Sequence, residues 1–259
     1  MRNLRRCLPY GGYTSGGIVL CVQKKEISPI FVGLFTFNSI DMEYKELGEA
    51  IKKKTDLLDL VLDNTKQTFR LFKSTAKEII GSLQQMHSKY FFFTDKSEFE
   101  FEIRFGADIL LFTMHTNVFE FSRLHEVMKL PYIKEDKERS FSGMINIYNF
   151  LTDSFDYNRD YDIGYLIGRL FINKEMHYFV EGKREVGLLY SSFNTSIINK
   201  ESITSIILSS MEYANNFDLL TPPFDEVKEI TVGEIKQNTA AKRLVTAKRL
   251  GFEFQQDKD

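Results

Sequence analysis

Asp162, Glu181 and Lys183 are the residues whose types and spacing come nearest to a reactive set. Asp162 opens one apolar stretch, Ile163 to Ile172. Glu181-Gly182-Lys183 closes the next, Met176 to Val180. If these pair as a hairpin turning at Asn173-Lys174-Glu175, the two polar ends lie side by side. Two carboxylates and an ammonium in that place could hold Mg²⁺ or Mn²⁺ and position a water for attack on a phosphodiester. The competing reading is that strand ends are polar because they meet water.

The arrangement is similar to the acidic-plus-E-x-K core of restriction-type nucleases. That resemblance implies Asp162 and Glu181 as metal ligands and Lys183 as the residue that activates the water or stabilises charge. It covers residues 162 to 183 only, and Tyr161 stands where the family has a proline.

Other polar groupings are weaker. Asp156, Asn158 and Asp160 begin like a calcium loop, within an acidic run that also holds Asp153 and Asp162. The sixth position requires glycine and holds Tyr161, and the twelfth requires a bidentate glutamate and holds Ile167, so an EF-hand is excluded. His87, His115, His125 and His177 show no metal-ligand spacing, and structural roles are expected for them, although His115 and His125 could line one end of a sheet. Near the C-terminus Ala241-Lys242-Arg243-Leu244 recurs as Ala247-Lys248-Arg249-Leu250. Lys242, Arg243, Lys248 and Arg249 could contact phosphates from a helix-turn-helix over Thr231 to Leu250. Six residues turn a helix by 600°, so the two basic pairs do not share a face, and Glu229, Glu234 and Asp257 supply nearby neutralising charge. No serine sits in a G-x-S-x-G elbow, and Cys7 and Cys21 make a poor case for a cysteine nucleophile.

The elements that must position these residues are easier to read. Ile51, Leu58, Thr65, Phe72, Ile79 and Met86 recur every seven residues, and Thr55, Leu62, Phe69, Ala76 and Leu83 fall between them. One helix over residues 43 to 87 would run about 60 Å, long enough to suggest a seam with a second copy of the chain. An amphipathic helix lying across a sheet fits the same stripe, with Phe69 and Phe72 suited to packing there. Thereafter the period is two. Phe99, Phe101, Ile103 and Phe105 alternate with Glu98, Glu100, Glu102 and Arg104, which predicts a strand with one wet face. Ile109 to Phe121 continues the meander, residues 122 to 140 read as a polar connection, and Met144 to Leu151 fits helix or strand. The Ile163–Val180 hairpin follows, then helices over Val186 to Ile198 and Ile203 to Phe217, and Pro222-Pro223 breaks the chain. Residues 1 to 41 are either a strand or hairpin, built from Ile18 to Val22 and Ile30 to Phe37, or sequence upstream of a natural start at Met42; the first is favoured.

The 259 residues carry a net charge of −2, which selects neither nucleic acid nor membrane as a partner. Hydrophobic residues make up 43%, enough for a sizeable core, and 24 Phe and 12 Tyr with no Trp favour sheet. Two cysteines argue for a reducing, cytoplasmic setting, and no apolar run is long enough to span a bilayer. Richness in Lys, Ile, Asn and Phe points to an AT-rich bacterial genome. The expected fold is α+β, with an antiparallel sheet of five to seven strands backed by helices. Residues 42–221 are expected to form the main domain, and 222–259 a tail with a short basic helix. The expected function is a non-catalytic regulatory, ligand-sensing or scaffolding protein that dimerises through the long helix and needs no cofactor. Its further partners would be a protein or a small ligand. A metal-dependent nuclease and a DNA-binding regulator are the alternatives.

Overall fold

A computed structural model describes residues 32–160, 162–182, 193–216, 221, 223–233 and 235–236, with side chains from Tyr44 onward. Two compact units divide the chain, Met1–Ala50 and Ile51–Asp259. In the first, the described residues are helical and belong to the opening of helix α1, Val32–Met86. Val32 to Phe37, expected as strand, is therefore helix. The apolar run that suggested a strand is followed without a break by a stretch rich in Lys, Glu and Leu, with no proline before Met86, so nothing stops the helix from extending upstream.

The second unit is built on a seven-stranded antiparallel sheet. Its strands are β1 (Phe91–Ser97), β2 (Glu100–Phe105), β3 (Asp108–Met114), β4 (Phe119–Glu120), β5 (Phe141–Leu151), β6 (Tyr165–Asn173) and β7 (Tyr178–Gly182). The order is β1-β2-β3-β5-β6-β7, with the short β4 also paired to β5, whose opening residues Phe141 and Ser142 lie beyond the end of β3. Apart from the short β4, which pairs only with β5 while β3 pairs β5 directly, each strand lies beside the next in the chain, so the sheet is an antiparallel meander. Met144 to Leu151 resolves as strand because β5 sits mid-sheet with partners on both edges, where a continuous apolar run is at home.

Among the described residues the remaining α-helices are α2 (Pro131–Glu135), α3 (Thr152–Asp156), α4 (Lys200–Asn215) and α5 (Phe224–Val227). Asn199 starts α4 with a reciprocal capping box: its side chain accepts from the Ser202 N–H, and the Asn199 N–H donates to Ser202 Oγ. The second expected helix, Val186 to Ile198, is not helical where it is described. Phe193 to Thr195 form a turn, and Ile197 makes an isolated bridge to His177.

One face of the sheet carries the main core. Phe69, Phe72, Ala76 and Ile80 of α1 and Ile203, Ile206, Ile207 and Met211 of α4 bury against Phe101, Ile103, Leu110, Phe112, Ile145, Ile147, Leu170 and Ile172. At the centre Phe101 and Phe112, opposite each other on β2 and β3, stack with ring centroids 4.5 Å apart. Phe69 and Phe72 meet them at 5.4 and 6.0 Å. Gly143 of β5 marks the closest approach of α1, since a Cβ there would lie 1.9 Å from Thr65 Oγ1.

The other face is covered in two places. Residues 122–140, expected to be only a polar connection, place Val127 and Ile133 with Phe193 in a second small core, against Phe121, Tyr132 and Phe179. At the opposite end of β5, Phe155 of α3 packs edge-on against Phe150 at 5.4 Å.

Candidate functional site

Because side chains alternate along a strand, one polar row crosses the face away from α1: Glu100 opposite Thr113, Thr113 opposite Asn146, Asn146 opposite Arg169, and Arg169 opposite Glu181. Glu181 closes that row. Its Oε2 accepts from Arg169 Nε at 2.9 Å and also from Nη2, while the Arg169 guanidinium lies 5.3 Å from the Phe171 ring centroid. His125 approaches from the other cover, with Nε2 3.8 Å from Glu181 Oε1. Its Nδ1 accepts from the Val127 N–H and caps the short 3₁₀ turn Glu126–Lys129. When neutral, that ring therefore carries its proton on Nε2, facing the carboxylate. Phe121 holds the imidazole at 4.8 Å and itself packs on Phe171 at 4.8 Å. A carboxylate between a guanidinium and an imidazole in this way is already compensated. A divalent cation there would have to share it with Arg169.

Asp162 lies elsewhere. It precedes the start of β6 by three residues, whereas Glu181 pairs with Arg169 inside that strand. The seven residues from Asp162 to Arg169 would cover about 20 Å of extended chain. The side-by-side placement expected of Asp162 and Glu181 is thus corrected by register. The turn sits at Asn173 to Met176, and the arm running back to Asp162 is longer than the described arm that ends at Gly182. The Asp162 carboxylate accepts from Ser154 Oγ at 2.6 Å and helps line a cavity of about 210 Å³ with Phe150, Phe155, Asn158, Arg159 and Asp160. Lys183, and Lys242, Arg243, Lys248 and Arg249, lie outside the described residues. Among the described residues, no three His, Cys, Asp or Glu side chains are grouped to hold a metal ion.

Two further histidines make hydrogen bonds to the backbone. His115 Nδ1 accepts from the Asn117 N–H at 3.0 Å, and His177 stacks on Tyr132 at 4.9 Å with Nδ1 3.0 Å from the Phe193 carbonyl oxygen.

Two charged clusters were not read from the sequence. At the β6–β7 turn, Lys174 Nζ lies 2.6 Å from Asp136 and 2.8 Å from Glu138. Arg139 donates to Glu175 at 3.0 Å, and Tyr132 Oη donates to Glu175 at 2.8 Å while accepting from Asn173 Nδ2 at 2.9 Å. Burial pushes the Tyr132 phenol up to about 12, with Glu175 adding to the rise and Asn173 opposing it. The second cluster surrounds Glu102, buried although expected on the wet face. Burial alone would raise its carboxyl, but hydrogen bonds from Lys96 and Arg104 outweigh that and hold it below the ordinary glutamate value. The first cluster joins elements about 36 residues apart, so no local spacing announces it; in the second only Asp156 is distant, since Lys96, Glu102 and Arg104 sit on adjacent strands.

The heptad stripe of α1 divides in two. Thr65, Phe69, Phe72 and Ala76 are fully covered by the sheet. Upstream, Ile51 is 58% exposed and Thr55 is exposed. In the first unit Tyr44 and Leu47 are exposed as well. Lys52, Asp56, Asp59 and Asp63 flank this stretch, all exposed and without an ion pair among the described residues. Lys53 bonds Glu138 at 2.7 Å.

No family model, curated protein or solved structure matches this chain. Among the described residues, no helix is long and apolar enough to cross a membrane.

Proposed function

We propose that this chain is a non-catalytic regulatory, ligand-sensing or scaffolding protein of the cytoplasm that works as a self-associated module, joined through α1. One observation carries the reading: within the second unit, the stripe that packs on the sheet from Thr65 to Ile80 continues upstream to an exposed Ile51 and Thr55 and a half-buried Leu58. Apolar side chains held on a regular helix and left uncovered by the described residues mark an interaction surface. The engagement of Glu181 by Arg169 and the separation of Asp162 from it favour this reading over metal-dependent cleavage.

Sedimentation velocity over a hundredfold range of concentration tests it, on the whole chain and on Ile51→Asp. The expected result is a mass that climbs towards twice the monomer for the parent and stays at the monomer for the variant, with matching circular dichroism. A parent mass independent of concentration would overturn the reading.

A further inference from the structure

We infer that the occupant of the exposed α1 edge is a second copy of this chain laid antiparallel across it, with Lys52 of each copy against Asp59 of the other. The inference rests on the self-association proposed above and adds its orientation and its pairing residues.

The argument comes from the order of charges along the helix. At 100° per residue, Ile51, Thr55 and Leu58 lie within about 40° of one line. Lys52 and Asp59 sit seven residues apart and flank that line on one side, about 90° round. Asp56 and Asp63 lie slightly further round on the same flank. Lys54 lies on the opposite flank. One flank therefore runs from basic to acidic between Lys52 and Asp63, with both ends exposed.

When two identical helices pack antiparallel, each flank faces the same flank of its partner, read backwards. The basic end then meets the acidic end, and the two-fold axis, passing near Thr55, makes the Lys52–Asp59 contact twice. When they pack parallel, each flank faces the opposite flank of its partner, and Lys52 approaches the partner's Lys54. The sequence is self-complementary in the first arrangement and self-repelling in the second. In each copy the downstream stripe from Thr65 is already buried in that copy's own core. The helices must therefore cross rather than lie along each other, and the crossing angles usual for packed helices let them diverge beyond a few turns. The contact is short, less than a standard interface, so association in the micromolar range or weaker is expected.

Charge exchange tests the orientation, because the two arrangements predict opposite signs for one substitution. In the antiparallel pair, Lys52→Glu sets two glutamates against two aspartates, and the dimer dissociation constant should rise roughly tenfold at low salt. Asp59→Lys should do the same. Lys52→Glu with Asp59→Lys in one chain should return the constant to near the parent value. In 1 M salt, with a screening length of about 3 Å, all four proteins should converge. Tightening by Lys52→Glu, or failure of the double variant to recover, would overturn the antiparallel pairing while leaving self-association intact. A parent that stays monomeric, or a dimer that Ile51→Asp leaves unchanged, would overturn both. The exposure of all the substituted side chains keeps folding out of the comparison, and circular dichroism of each variant checks it.

Discussion

Glu102 shows how far a single side chain can depart from the rule of its strand. Its position in the alternation of β2 assigns it to water, yet it is 2% exposed. Lys96 reaches it from β1 at 2.8 Å, and Arg104 donates to it at 3.0 Å while also holding Asp156 of α3 at 2.8 Å. A buried carboxylate survives only with such company. Replacing it with glutamine keeps the shape and removes the charge that two cations share. Glu102→Gln is expected to cost about 2 kcal/mol at neutral pH. The folded carboxyl titrates below its ordinary 4.5. Its contribution is therefore complete above about pH 4.5 and is lost as the pH falls through the lower folded value. Urea midpoints of parent and variant at about pH 7, 4.5 and 3 should show a gap that narrows towards acid. A gap that stays constant would mean that the charge contributes nothing and that only packing was lost.

At the scale of elements, two glycines predict opposite effects of the same substitution. Gly143 lies where α1 comes closest to β5, and a methyl group there would fall 1.9 Å from Thr65 Oγ1 and under 3 Å from the Thr65 Cβ and Cγ2. Thr65 cannot retreat, since it is fully buried and its hydroxyl donates to the Val61 carbonyl oxygen at 2.7 Å. Gly143→Ala should therefore push helix from sheet and destabilise by about 1–3 kcal/mol. Gly81 sits inside α1 with nothing within 4 Å of an added Cβ, so Gly81→Ala should stabilise by about 0.5–1 kcal/mol through helix propensity alone. Thermal melts of the two variants should move in opposite directions. The same scale shows what was legible. The meander, the hairpin and α4 follow from periods of two and 3.6, because each element buries one face and leaves the other wet. Helix in place of strand at Val32 to Phe37 was not legible, since a short apolar run lacks a period of its own and takes the state of what continues it. Nor was the second core, in which Val127 and Ile133 meet Phe193, a residue sixty positions later in the chain. The placement of Asp162 beside Glu181 was not legible for a third reason: it depended on a hairpin register that spacing alone leaves undetermined.

For the molecule as a whole, the balance between packing within one copy and packing between copies turns on where the sheet ends along α1. From Val61 to Ile80 the helix is held by its own core. From Ile51 to Leu60 it has little beneath it: Leu57 and Leu58 are half-buried and the other positions are exposed. A helical stretch of that length has marginal stability in water when nothing packs on it. Covering Ile51 and Thr55 with a partner would stabilise the folded state by mass action, and that gain grows with concentration because unfolded chains do not pair. The melting temperature of the parent should therefore rise by a few degrees between about 1 µM and 100 µM protein, since 1 kcal/mol moves a domain of this size by about 2–4 °C. Ile51→Asp should give a melting temperature that ignores concentration and matches the parent at its dilute limit. That match matters, because a variant already less stable when dilute would show that Ile51 supports its own fold, and the exposed edge of α1 would then need no second copy to explain it.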